Sequence, residues 1–381
     1  MQLTRRSLLV LPASLALPLA AKPKSYLLFV GAYTNPTSKG IKVCHFDIAT
    51  GKPGALELAA ESPNPSFLAI HPSFRFLYAA NEIGNFQGQR AGSVSAFGLD
   101  RKTGLLTPLN QVSTKGPGPC HLNTDHKGRA LVAVNYSGGS VASYQIGSDG
   151  KLSEAVSFFQ HTGNGPNGKR QEGPHAHSVN ISKDDRFAVI ADLGTDQVHV
   201  YTLNAAAGKL DPNQPPFTKV AGGAGPRHFA FHPSGRFAYV INELNSTITA
   251  FHWDGVHGTL TEIDTVPTLP AGWSGSSTCA EVVVHPSGNF VYGSNRGHDS
   301  IAVFHVNKKT GKLTLVEHAL TQGKTPRNFV IDPSGRWLIA ANQQSNNIIF
   351  FKLDPTTGKL TATGEKLETY APVCLRFVPA L

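Results

Sequence analysis

A short motif recurs six times along the chain, and this repeat constrains the fold more than any other feature. It is a five-residue turn of the His-Pro-Ser-Gly-Arg type, and its copies follow one another at intervals of roughly 50 residues. They begin at His71, Asp125, Ser182, His232, His285 and Asp332. Each interval holds four short strands, which is typical of a β-propeller blade. The 38 glycines and 26 prolines suit the tight turns that such blades need.

The two ends of the chain supply a seventh blade. The segment YLLFVGAYT, which starts at Tyr26, matches a second strand of the repeat, and PVCLRFVP at 372–379 matches a first strand. We therefore expect an all-β, seven-bladed propeller of four-stranded antiparallel blades, formed as one domain by residues 26–381. The C-terminal strand should be innermost in the shared blade, with the N-terminal strands outside it. Closing the ring in this way removes exposed strand edges.

Residues 1–21 have the pattern of a twin-arginine-type export signal. Arg5 and Arg6 precede an apolar stretch from Leu8 to Ala21 that ends in small residues. Two prolines interrupt this stretch, and it is too short to cross a bilayer comfortably. The sequence therefore predicts a signal that is removed, a periplasmic or secreted product, and no membrane span.

The chain is basic, with a formal net charge of +9, but its charges are dispersed. No long run of lysine or arginine and no nucleic-acid-binding motif is present, so an anionic small molecule is the favoured partner rather than nucleic acid. The four cysteines show no metal-ligand spacing, and we expect buried, unpaired thiols and no zinc site. We also expect a monomer.

Residues at the same offset in each repeat should occupy equivalent places around the propeller axis. One set lies five residues before each turn and opens the innermost strand: Ser66, Cys120, His177, Arg227, Ala280, Arg327 and Val373. A second set lies eleven residues after the turn and ends the next strand: Glu82, Tyr136, Leu193, Glu243, Arg296, Gln343 and Ala32. Antiparallel neighbours begin and end at one edge, so both rings should crowd one mouth of the central channel.

Strand alternation makes two further predictions near these rings. His228 follows Arg227 and should face away from it into the blade. The asparagines that precede the second ring, with Asp192 in one blade, recur in nearly every repeat. We interpret them as structural, because such side chains tie loops by hydrogen bonds to the backbone.

Three segments are similar to a known family. The runs RQEGPHAHSV (170–179), DLGTDQVHVY (192–201) and GPRHFAFHPSGRFAYVINELNSTITAF (225–251) resemble the lactonase family of seven-bladed propellers. That family includes propeller-type 6-phosphogluconolactonases and fungal 3-carboxy-cis,cis-muconate lactonizing enzymes. The resemblance implies a site made of His177, Arg227, Glu243 and Arg296, all of which belong to the two rings.

These residue types suit the opening of a lactone by water, which needs a base and a cation to hold negative charge. We expect His177 to transfer the proton, with Glu243 as its partner or an alternative base. We expect Arg227 and Arg296 to bind an anionic substrate, with a weaker contribution from Arg327. The remaining predicted substrate contacts are His175, Glu82 and Tyr136.

Metal and cofactor chemistry find little support in the sequence. His175 and His177 point the same way on an extended strand, but no third metal ligand accompanies them. Nucleophile-elbow, phosphate-loop and dinucleotide motifs are not found in a suitable context. We therefore expect neither a metal nor a cofactor.

Three functions remain open from the sequence. The first is hydrolysis of an anionic sugar lactone, with 6-phosphogluconolactone as the substrate class that the resemblance implies. The second is a muconate-type lactonizing cycloisomerase that uses the same four residues. The third is a non-catalytic propeller that binds a ligand or protein, because fold alone does not decide function. The export signal favours an unphosphorylated lactone over a sugar phosphate.

Overall fold

The computed structural model describes residues 25–381, which form strands, turns and loops without a helix. The predicted export signal, residues 1–21, lies outside these described residues. Within them, no helix has the length and apolar character to cross a membrane.

Seven antiparallel sheets surround a central axis as blades. The closing blade holds β1 (Ser25–Ala32), β2 (Gly40–Asp47), β3 (Lys52–Pro53), β4 (Glu57–Glu61) and β29 (Pro372–Pro379). Blade 1 holds β5 (Pro65–Ile70), β6 (Phe76–Asn81), β7 (Ser93–Leu99) and β8 (Leu106–Ser113). Blade 2 holds β9 (Pro119–Thr124), β10 (Ala130–Asn135), β11 (Ser140–Gln145) and β12 (Ser157–Gln160). Blade 3 holds β13 (Ala176–Ile181), β14 (Phe187–Asp192), β15 (Gln197–Asn204) and β16 (Lys209–Lys219).

The other three blades repeat this pattern. Blade 4 holds β17 (Pro226–Phe231), β18 (Phe237–Asn242), β19 (Thr247–Asp254) and β20 (Thr259–Pro267). Blade 5 holds β21 (Thr278–Val284), β22 (Phe290–Arg296), β23 (Ser300–Val306) and β24 (Leu313–Leu320). Blade 6 holds β25 (Pro326–Ile331), β26 (Trp337–Asn342), β27 (Asn347–Leu353) and β28 (Leu360–Glu368).

The ring closes as the sequence predicts. β29 is the innermost strand of the closing blade and pairs with β1, which pairs with β2 on its other side. β29 also contacts the innermost strands β5 and β25 of the neighbouring blades. One detail differs from the expected four strands: the outermost position is divided into β3 and β4, which both pair with β2. Residues 54–56 leave the ladder between these two short strands.

Adjacent blades are held together by packing and by the repeated turn itself. Every residue of β6, β10, β14, β18 and β26 is buried, because neighbouring blades cover both faces of these strands. The turn histidines add a polar link. His71, His232 and His285 each use Nδ1 for the serine of their own turn and Nε2 for a glycine carbonyl in the next blade. The histidines of these turns therefore have a structural role.

The strand-end asparagines tie loops, as predicted. The side-chain amides of Asn81, Asn135, Asn295 and Asn342 each donate a hydrogen bond to the backbone carbonyl of a residue that follows an outer strand. Asp192 occupies the equivalent place in blade 3, where its carboxylate accepts hydrogen bonds from the backbone N–H groups of His175 and Gly194. These bonds fix the loops at the mouth where the two rings meet.

Each innermost strand carries a β-bulge at its first-ring residue. The strand register shifts at this position in all seven blades. In blade 4, for example, Pro226 pairs with Asn242 and His228 with Ile241, so Arg227 has no partner. A bulge re-aims side chains, and both Arg227 and His228 border the axial channel. The prediction that His228 faces into the blade is therefore wrong, because simple alternation fails at the bulge.

Candidate active site

One mouth of the channel forms a cavity of about 340 Å³ in which both predicted rings meet. Three first-ring residues and four second-ring residues line it. Three lining residues were not predicted, namely Tyr33, Arg170 and Thr278. The complete lining consists of Tyr33, Glu82, Cys120, Tyr136, Arg170, His177, Glu243, Thr278, Arg296 and Arg327.

Glu243 is the centre of an arginine cluster. Its Oε2 lies 2.8 Å from Nε of Arg227 and 2.8 Å from Nη2 of Arg296, and its Oε1 lies 2.5 Å from Nη2 of Arg170. Glu243 directly follows β18, Arg227 is the bulged residue of β17, and Arg296 ends β22 of the next blade. The carboxylate therefore holds guanidinium groups from two blades and one loop in place.

This cluster determines the charge state of Glu243. Burial alone would raise its pKa, but the charges of Arg296 and Arg227 and the hydrogen bond from Arg170 outweigh burial and lower the pKa to about 2. Burial and the nearby charges of Arg296 and Arg327 lower the pKa of Arg227 to about 10. At neutral pH the carboxylate is ionised and the arginine is charged. The low pKa of Glu243 and the three guanidinium groups bonded to its oxygens make it a poor proton acceptor.

Arg170 comes from the loop between β12 and β13. Its Nη2 donates to Tyr136 Oη over 3.2 Å as well as to Glu243. The next residue, Gln171, is completely buried and anchors the loop through hydrogen bonds to the Leu193 carbonyl and to Asp196. Register reasoning missed Arg170 because it lies outside any strand, although it opens the RQEGPHAHSV run that carries the family resemblance.

A second set of polar contacts crosses the closing blade. Tyr33 Oη donates to the Glu82 carboxylate over 3.0 Å and accepts a hydrogen bond from Arg327 Nη2 over 3.2 Å. Burial, followed by the charges of Arg327 and Glu82, gives a net upward shift of the Tyr33 pKa, so the phenol remains protonated. Tyr33 directly follows the second-ring residue Ala32, and this adjacency was the only sequence signal for it.

His177 lies at the cavity floor, 4 % exposed. Its ring is 5.3 Å from that of Tyr136, and its Nδ1 lies 3.8 Å from Cys120 Sγ. Burial and the charge of Arg227 lower its pKa well below the usual 6.5. The imidazole is therefore neutral at pH 7, and among the described residues the Cys120 thiol is the one polar group near its ring nitrogens.

Two predicted residues lie behind the cavity rather than on its surface. Arg227 is 1 % exposed, and it uses Nε for Glu243 and Nη1 for the carbonyl of Ala280. His175 stacks on Tyr136 with ring centroids 4.5 Å apart and uses its nitrogens for the Tyr136 carbonyl and Glu172. Both residues support groups that line the cavity.

Unused hydrogen-bond donors remain on two lining arginines. Arg296 directs Nη2 at Glu243 and the Cys279 carbonyl, and Arg327 directs Nη2 at Tyr33. Among the described residues, no protein acceptor occupies Nη1 of Arg296 or Nε and Nη1 of Arg327. These two arginines belong to adjacent blades, so they can grip one anion from two sides.

One cluster of potential metal ligands lies outside the mouth. Side-chain atoms of His161, Asp192 and His199 lie within 4.8 Å of one another. Both nitrogens of His161 are already engaged, Nδ1 with Asp192 at 2.6 Å and Nε2 with Tyr201 Oη at 3.0 Å. We interpret the cluster as the blade 3 version of the asparagine tie. The four cysteines are free and buried, as predicted.

The geometry agrees with the relationships of the sequence. The profile of the family described as "Lactonase, 7-bladed beta-propeller" matches residues 27–377. The chain belongs to this lactonase family. The match spans all seven blades. It includes most of β1 and of β29, the two strands from opposite ends of the chain that pair in the closing blade.

Relatives within the lactonase family carry informative names. A 6-phosphogluconolactonase of Bacillus subtilis is 38% identical over 306 residues, which cover 80% of this chain and 84% of the relative. A 6-phosphogluconolactonase of Formosa agariphila is 35% identical, covering 79% and 85%. The solved structure of a periplasmic gluconolactonase from Pseudomonas aeruginosa is 34% identical with a TM-score of 0.87, covering 94% of this chain and all of that one.

Proposed function

We propose that this protein hydrolyses an anionic sugar lactone in the arginine-lined mouth. The observation that carries the proposal is the pairing of a neutral, buried imidazole with several guanidinium groups in one cavity of about 340 Å³. The activities named for the bacterial relatives support the same reaction class. The small-molecule substrate is thus a lactone whose negative charge attracts it to this mouth.

In this mechanism His177 acts as the general base. It takes a proton from water as the water oxygen attacks the lactone carbonyl, and it returns a proton to the alkoxide that leaves when the ring opens. Both oxygens of Glu243 are held by guanidinium groups, so neither is free to take a proton from water. Of the two candidates that the sequence leaves open, the imidazole is favoured.

The arginines have separate tasks in this proposal. Arg296 and Arg327 use their free N–H groups to bind the carboxylate or phosphate of the substrate and the developing oxyanion. Arg170 approaches from the loop side and closes over the bound anion beside Tyr136. Arg227, which lies behind the cavity surface, holds Glu243 and contributes its charge.

An assay panel tests the reaction. Residues 22–381 would be assayed with 6-phosphogluconolactone, glucono-δ-lactone and 3-carboxymuconate, with proton release or ultraviolet loss as the readout. We expect lactone opening above the spontaneous rate, and a loss of roughly 10²- to 10⁴-fold in kcat for His177→Gln. The matched control is His175→Gln, which alters an imidazole outside the cavity and should change kcat far less.

Other results of the panel would refute this assignment. Turnover of carboxymuconate alone would establish the cycloisomerase, and tight ligand binding without any turnover would establish a binding propeller. Equal activity of His177→Gln and wild type in a folded protein would remove His177 from the mechanism.

We further propose that the protein acts outside the cytoplasm. The paired Arg5 and Arg6 ahead of the apolar stretch support export, and so does the periplasmic name of the Pseudomonas aeruginosa relative. Fractionation of cells expressing the full chain tests this, with an Arg5→Lys, Arg6→Lys double variant as the control that should remain in the cytoplasm.

A further inference from the structure

A second cavity occupies the other mouth of the axial channel. It measures about 560 Å³ and is larger than the arginine-lined mouth. A layer of side chains separates the two cavities: the ring of His121 lies 3.8 Å from that of Phe67 and 5.2 Å from that of His228. Glu281 completes the layer by accepting hydrogen bonds from His228 and Asn328. The void above this layer is only about 10 Å³, room for a single water, so a sugar cannot pass through it.

The wall of this second cavity is apolar on one side and polar on the other. Each innermost strand contributes one residue two positions beyond the separating layer. In order around the axis, these residues are Ala69, Asn123, Asn180, Ala230, Val283, Val330 and Arg376. Three consecutive blades, 4 to 6, supply the apolar side. The closing blade and blades 2 and 3 supply the polar residues Arg376, Asn123 and Asn180, with Ala69 of blade 1 between the arginine and the asparagines.

The polar side presents hydrogen-bond donors that have no protein partner. His121 accepts a backbone hydrogen bond at Nδ1, which places its proton on Nε2. Asn123 uses Oδ1 for a backbone N–H, and this leaves its amide N–H groups free. The amide nitrogen of Asn180 is buried without a partner. Arg376 uses Nε and Nη1 for two backbone carbonyls, so Nη2 remains for a ligand.

The carboxylate nearest to these donors is already occupied. The Glu281 carboxylate receives hydrogen bonds from His228 Nδ1, from Asn328 Nδ2 and from the backbone N–H of Val282. Burial raises the pKa of Glu281 to about 7, against the opposing charges of Arg376 and Arg227. Among the described residues that line this cavity, Arg376 is the one arginine or lysine, so the polar side favours a negatively charged ligand that accepts hydrogen bonds.

From this arrangement we infer that the second mouth is a binding site for a small carboxylate on a flat apolar body, such as an aromatic monocarboxylate. The carboxylate contacts Arg376, Asn180 and His121, and the apolar body lies against the valine side of the cavity. The cavity volume falls in the range of small-molecule sites. This site is independent of lactone hydrolysis in the opposite mouth.

Calorimetric titration with benzoate at pH 6 tests the inference on residues 22–381. We expect saturable binding, with at least tenfold weaker binding of the neutral analogue benzyl alcohol. Asn180→Asp preserves the size of the side chain but places a negative charge beside the benzoate carboxylate. It should weaken benzoate binding at least tenfold. Arg376→Met should do the same. The matched control, Arg327→Met, changes an arginine of the other mouth and should leave benzoate affinity unaltered.

The pH dependence supplies a second readout. Glu281 faces His228, Asn328 and the two arginines Arg376 and Arg227, and it gains negative charge as the pH rises through about 7. Benzoate affinity should therefore fall severalfold between pH 6 and pH 8, and it should stop falling in Glu281→Gln.

Two outcomes overturn the site. One is the lack of saturable benzoate binding to a wild-type protein that melts cooperatively. The other is benzoate binding that Arg327→Met abolishes and Asn180→Asp retains, because this would place the carboxylate in the arginine-lined mouth.

Discussion

Replacement of Glu243 by glutamine tests whether this carboxylate organises the arginine cluster. The substitution keeps the size of the side chain but removes the charge that faces Arg227, Arg296 and Arg170. Arg227 is 1 % exposed and would keep a buried charge without a counterion. Breaking a buried ion pair in this way costs about 3–5 kcal/mol of folding free energy.

The pKa of Glu243 gives a second measure of the same effect. A shift from 4.5 to about 2 corresponds to about 3 kcal/mol of stabilisation by the ionised carboxylate. The folded-state pKa lies below the unfolded value, so this contribution is fully present above about pH 4.5 and is lost as the pH falls through 2. At pH 3, roughly half or less of it remains.

Differential scanning calorimetry provides the assay. The unfolding entropy of about 2.1 cal/mol/K per residue implies a decrease in Tm of roughly 4–7 °C for Glu243→Gln at pH 7. The difference from wild type should shrink by half or more at pH 3. Glu172→Gln, which removes an exposed carboxylate, serves as the control and should melt within about 1 °C of wild type. Equal melting of Glu243→Gln and wild type at pH 7, or a difference that does not change with pH, would refute the reasoning.

Three further predictions concern the loop, the blade 3 tie and the thiols. Arg170→Ala should raise KM for an anionic lactone about tenfold and leave KM for a neutral lactone unchanged, because one charged hydrogen bond to the substrate is lost; equal effects on both lactones would contradict this. Asp192→Asn should lower the unfolding free energy measured in urea by about 2 kcal/mol, because its carboxylate accepts the short hydrogen bond from His161. A melting curve like that of wild type would show that the tie is dispensable. The four cysteines should resist a thiol reagent until the protein unfolds, because burial raises the pKa of every thiol; rapid native labelling would show exposure.

The fold was predictable because its information is local and repeated. Each copy of the turn motif marks one blade, and a fixed offset from the turn brings residues such as His177 and Glu243 to the same mouth. The offset holds because every innermost strand has its bulge at the same place. The prediction that side chains alternate between faces is wrong at this bulge. One extra residue there turns both Arg227 and His228 towards the axis.

Other features of the site depend on contacts that a repeat does not encode. Arg170 reaches Glu243 from the loop that connects blades 2 and 3, and no register rule places a loop side chain. The preference for His177 over Glu243 as the base follows from three guanidinium groups that converge on one carboxylate, and this convergence is visible only in three dimensions. Arg227 and His175 were both predicted to contact substrate, but packing places them one layer behind the surface.

The pairing of the N-terminal strand β1 with the C-terminal strand β29 also determines when the arginine-lined mouth can form. Tyr33 belongs to the N-terminal part of the chain, yet it bonds Arg327 of blade 6, and β29 must join β1 before these two blades become neighbours. During synthesis, six blades can emerge from the ribosome while the anion-binding mouth is still open on one side. Catalytic competence should therefore appear in a single step once β29 has been made, which makes activity a reporter of ring closure.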